Sequence, residues 1–220
     1  MAAVVKLQSE EVVAGRPFTD VQHTQTDLAI LRYLVAHLGL TLDSERLHHA
    51  PPLELYFPTA ERWWHRLMVM QPERVVLMRP LVIVGFFGQR RSNNNEDHEE
   101  LAHTLDKALM GELAAYDDLL AYSTLALPTG NYSNLVVFAR EEGIRHWGRS
   151  HLHAQAVREL TPNYYQSVRI YNGVLPDGLQ HADGLQLTLV KYYDYQETPQ
   201  WRAVRTLGRD WRLETERLGD

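Results

Sequence analysis

The chain has 220 residues, of which 45% are hydrophobic and 23% charged, with a formal net charge of −6 and no cysteine. That balance predicts a single globular unit and excludes a largely disordered chain. The missing thiols exclude disulfide scaffolds, Fe–S clusters and cysteine nucleophiles, and the negative charge argues against nucleic acid as a partner. No apolar run is long enough to cross a bilayer and Met1–Lys6 has no secretory character, so a cytoplasmic protein without a membrane partner is expected.

The first part reads as mainly helical. Asp27 or Thr26 is placed to cap a helix in which Leu28, Leu31, Val35 and Leu38 recur at helical spacing, with Gly39 as its stop. Leu53 to Phe57 reads as a short extended piece. Pro58-Thr59 then opens a second helix over 60–70, with Trp63, Leu67 and Met70 on one face and Pro72 ending it.

Beyond residue 75 the pattern becomes regular. Leu81–Phe87 is a β-rich run apolar at both parities, as expected of a strand buried on both faces. A helix follows from Glu96 to Tyr116, then strands over 119–125 and 132–139, a helix over 141–160, and strands over 165–171 and 185–193. The order over 78–194 is β-α-β-β-α-β, which predicts an α+β fold with a ferredoxin-like core. The chain divides into a helical N-terminal extension (1–76), that core (77–196) and a C-terminal helical tail (197–220) opened by Thr198-Pro199. Two helices cover only one face of such a sheet. The second face needs a cover, supplied by another copy of the chain, by the N-terminal segment or by the tail.

The strand Leu135–Phe138 leads into a helix carrying Trp147-x-x-Ser150-x-x-His153. Together with the strand–helix order, this motif resembles the dimeric α/β-barrel superfamily, and within it the antibiotic-biosynthesis-monooxygenase-like proteins. The resemblance covers roughly residues 78–194. It implies sheet-to-sheet pairing into a homodimer and a monooxygenase-like oxidoreductase acting on a planar or aromatic molecule. Haem is the implied cofactor in some members, with none in others. Carried onto this chain, it places the catalytic group at His153, Trp147 and Ser150, with His153 as the metal ligand if haem binds.

Read as a continuous helix, 141–160 puts His146, Ser150 and His153 on one side and Trp147 and His151 roughly opposite. On the strand after it, alternation sends Tyr165, Arg169 and Tyr171 to one face, where Arg169 could pair a ligand carboxylate among tyrosines. The same residues suit a subunit seam. The stretch His98-Glu-Glu-Leu-Ala-His103 has its histidines at the wrong spacing for a zinc protease, and Gly148-Arg-Ser150-His-Leu lacks the final glycine of a nucleophile elbow. Arg202, Arg205, Arg209 and Arg212 form one stripe if the tail is a helix, beside Trp201, Val204 and Trp211. The alternative to an enzyme is a non-catalytic ligand-binding or assembly protein of the same fold.

Overall fold

A computed structural model describes residues 3–45, 51–58 and 64–208. In chain order these form β1 (Val5–Leu7), α1 (Val21–Glu45), β2 (Leu53–Pro58), β3 (Trp64–Val69), α2 (Pro72–Leu77), β4 (Leu81–Arg90) and α3 (Glu96–Glu112). There follow β5 (Leu119–Ala126), β6 (Tyr132–Phe138), α4 (Glu141–Trp147), α5 (His151–Gln155), α6 (Thr161–Tyr164), β7 (Tyr165–Leu175), β8 (Gln186–Asp194) and β9 (Trp201–Thr206). The strands make one sheet in the order β1-β9-β8-β7-β4-β6-β5-β3-β2. Its centre, β7-β4-β6-β5, is antiparallel throughout and has the strand order of a ferredoxin-like core, with α3 between its first two strands and α4–α6 between its last two. None of the described helices is long and apolar enough to cross a membrane.

The second sheet face is covered by α1. This helix begins at Val21, where Asp20 accepts the Gln22 N–H at 2.9 Å, well before the expected caps Thr26 and Asp27. It also runs through Gly39 to Glu45. Leu28, Leu31, Leu34, Val35, Leu38 and Leu42 line its inner face and are buried against Leu67, Ile83, Leu135, Val137 and Tyr171. Gly85 makes the seat: a Cβ there would lie 2.7 Å from Leu31 Cδ1, so only glycine admits the leucine at this depth.

Two expected helices are strands. Residues 64–69 form β3, paired on both sides by β2 and β5, while 60–63 of the expected 60–70 helix, with Trp63, lie outside the described residues. His65 to Val69 are all buried, because α1 covers one face and the helical layer the other, so no strand alternation survives in the sequence. Residues 201–206, assigned to a helical tail, form β9 between β8 and β1. Arg205 is fully buried there and donates to Tyr192 Oη at 2.8 Å and to the carbonyls of Gln8 (3.0 Å), Thr19 (2.9 Å) and Glu11. It fastens the N-terminal segment to the far edge of the sheet instead of joining an arginine stripe. Arg209, Trp211 and Arg212 lie outside the described residues.

Candidate functional site

The expected 141–160 helix is broken, and the break builds the site. α4 ends at Trp147, and Gly148 and Arg149 turn the chain. Ser150 then caps α5, its Oγ accepting the His153 N–H at 3.0 Å and donating to Glu112 Oε2 at 2.6 Å. Restarting the helix folds His153 back onto Trp147, with ring centroids 4.5 Å apart. The two residues that a continuous helix would set on roughly opposite sides therefore meet, with their rings tilted at 45°. The indole also packs on Phe138 (6.0 Å) and Tyr122 (6.3 Å), on the helix-covered side of the sheet.

Burial pulls the His153 imidazole below its ordinary range, and the nearby Glu112 carboxylate partly opposes this. His153 is thus a neutral, half-buried base. Trp147 Nε1 is buried with no hydrogen-bond partner among the described residues, as is Asn134 Oδ1 on β6. Tyr122, in the floor, is held protonated, its pKa pushed up to about 12 by burial first and by Asp106 second. Ser150 is occupied as a cap and as a tie to α3, which suits positioning, not attack.

The ligand-binding residues expected on β7 do not join this group. A bulge where Arg90 and Gln89 pair with Tyr165 and Ser167 puts Tyr165 out of the alternation. Tyr165 lies on the helix side against Phe86 and Tyr164, whereas Arg169 and Tyr171 face α1. Arg169 makes a bidentate pair with Asp27 at 2.6 and 3.0 Å, and Tyr171 Oη donates to the same carboxylate at 2.8 Å. The sheet separates these two residues from His153, so a shared pocket is excluded. Arg169 holds α1, and Asp27 is an interior ion-pair partner, not a cap.

Haem does not fit the residues present. One face of the His153 ring rests on Trp147, and Ser150 and Glu112 pin the turn beside it. A cavity of about 960 Å³ lies between α1 and residues 177–184, and another, of about 230 Å³, is lined by Tyr116, Asp118, Arg140 and His146. Neither is lined by His153, and an axial ligand needs an open slot for the macrocycle. Among the described residues no group of three or more His, Asp or Glu could hold a metal ion.

Sequence reasoning missed a second polar cluster, on the α1 side. His65 Nε2 and Ser123 Oγ are 2.6 Å apart and both residues are 1% exposed. The His37 ring lies 4.6 Å from that of His65, and Phe57 packs on both. Nothing local in the sequence joins residues 58 positions apart; only the pairing of β3 with β5 does. Arg66, the neighbour of His65, points the other way and forms a bidentate pair with Asp106 on α3 at 2.6 and 2.7 Å.

No family model matches the chain, and no curated protein matches it. Among solved structures it is similar to a protein of Pseudomonas aeruginosa at 13% identity, over 44% of this chain and 93% of that one, with a TM-score of 0.36. A protein of Shewanella oneidensis is similar at 14% identity over 44% and 94%, also at 0.36. A Lactobacillus acidophilus protein provisionally assigned as a monooxygenase is similar at 9% identity over 55% and 53%, at 0.38.

Proposed function

We propose that this protein binds a small planar or aromatic molecule on the helix-covered side of the sheet, beside Trp147 and His153, and oxidises it as a cofactor-free, monooxygenase-like oxidoreductase. The observation that carries the reading is the buried, partnerless Trp147 N–H next to a neutral imidazole. An unsatisfied buried donor costs about 1–3 kcal/mol, a cost a ligand oxygen would remove. His153 would accept a proton from a ring-activated CH₂ or phenol, in the role of general base. For a CH₂ group the balance is closed by dioxygen as oxidant: one oxygen atom becomes the carbonyl oxygen and the other leaves as water with both hydrogens. For a naphthol, one oxygen atom of dioxygen becomes the second carbonyl oxygen of a quinone and the other leaves as water with the hydroxyl hydrogen and the hydrogen of the ring carbon attacked.

The test is a titration with a hydroxylated naphthalene, followed by tryptophan fluorescence and by oxygen uptake. Saturable quenching that is lost in Trp147→Phe, with uptake lost in His153→Ala while binding remains, is the expected result. No saturable quenching by the wild type, or equal uptake by His153→Ala, would overturn it. Binding without uptake would leave the non-catalytic ligand-binding reading.

A further inference from the structure

The outer face of α1 carries Ala29, Tyr33, Ala36 and Leu40 in one line, at spacings of four, three and four residues. Tyr33 is 49% and Leu40 71% exposed, and the line forms one wall of the 960 Å³ groove. Arg32 and Asp43 lie together on one flank of it. Arg32 Nε is buried without a hydrogen-bond partner, and neither side chain forms an ion pair among the described residues. Eleven residues apart, they stand about 16 Å apart along the helix and cannot reach each other.

We infer that this face docks a second copy of the chain, α1 against α1 and antiparallel about a twofold axis near Ala36. The line is self-complementary in that arrangement. Tyr33 of one copy meets Leu40 of the other, and Ala36 at the axis lets the helices approach closely. In an antiparallel pair the same flanks face each other. Arg32 therefore comes within about 3 Å, measured along the axis, of the level of Asp43 in the other copy, a gap its long side chain spans. Arg32 and Asp43 then pair twice in the dimer, once on each side of the axis. The contact is small, so the dimer is a weak, concentration-dependent one.

Sedimentation velocity on the full chain, from about 1 to about 200 µM, tests this, with a thermal melt confirming that each variant is folded. A monomer–dimer equilibrium is expected, shifted more than about tenfold toward monomer by Leu40→Glu. Arg32→Asp and Asp43→Arg should each weaken it roughly tenfold, because two attractions become two repulsions. The double exchange Arg32→Asp with Asp43→Arg should restore it to within about threefold. A monomer throughout, a dimer indifferent to Leu40→Glu, or a double exchange no better than the single ones would each overturn the inference.

Discussion

His65 should make the fold sensitive to mild acid. Burial, reinforced by His37, lowers its pKa from 6.5 to about 4. The native ring therefore stays neutral over a range in which the unfolded chain takes up a proton. The stability it contributes is complete above about pH 6.5 and is lost as pH falls toward about 4. At about 1.4 kcal/mol per unit, the loss by pH 5 is roughly 2 kcal/mol, and about 3 kcal/mol at the limit. With His65 1% exposed, solvent screening does little to reduce this. Denaturant midpoints measured from about pH 7.5 to about pH 5 give the slope. His65→Gln keeps an amide donor toward Ser123 but does not titrate. It should lower stability at neutral pH and flatten the acid slope, leaving the smaller part due to His37, His23 and His153, which are also lowered by burial. An unchanged slope in that variant, or a His65 imidazole titrating near 6.5 by NMR, would refute the reasoning.

Breaking the Asp27–Arg169 pair should be costly, since it leaves a buried charge without its partner. Asp27→Asn is expected to lose about 3–5 kcal/mol in chemical denaturation, and the apolar double change Asp27→Leu with Arg169→Met to lose less than either single change. Gly85→Ala should cost about 1–3 kcal/mol, because the new methyl meets Leu31, and combined with Leu31→Ala it should cost less than the two single losses added together.

The strands β4, β5 and β6 and helix α3 were legible because each keeps a local signature: a β-rich run, a turn such as Pro128–Asn131, or an Asn95 cap before acidic residues. β3 was not legible, because a strand buried on both faces loses its alternation, and Trp63, Leu67 and Met70 also fall on one face of a helix. β9 was misread because Trp201, Val204 and Arg205 fit a helical stripe as well as a strand. Only its position between β8 and β1, a tertiary fact, decides. At the site the motif residues were found but their geometry was not. Gly148 followed by Ser150 is a helix stop and a cap, and a continuous 141–160 helix passes over that signal. The separation of Arg169 from His153 depends on which residues alternate to which face, and the bulge before Ser167 carries Tyr165 out of that count.

α1 occupies the surface that the resemblance assigns to a partner's sheet. Exposing that surface would mean withdrawing Leu28, Leu31, Leu34, Val35, Leu38 and Leu42 from the core, on the order of 10 kcal/mol at about 2 kcal/mol for each. It would also break the Asp27–Arg169 pair and empty the seat at Gly85. Sheet-to-sheet pairing would therefore be costly for this chain, and the association inferred above uses the outside of α1 instead. The helix-side group of Trp147, Ser150 and His153 lies across the sheet from that helix. It is assembled entirely from one copy, so the proposed chemistry has no need of a dimer. Changes at Tyr33 or Leu40 should therefore alter assembly and leave ligand quenching of Trp147 as it is, whereas in a barrel closed by two sheets the two properties would fail together.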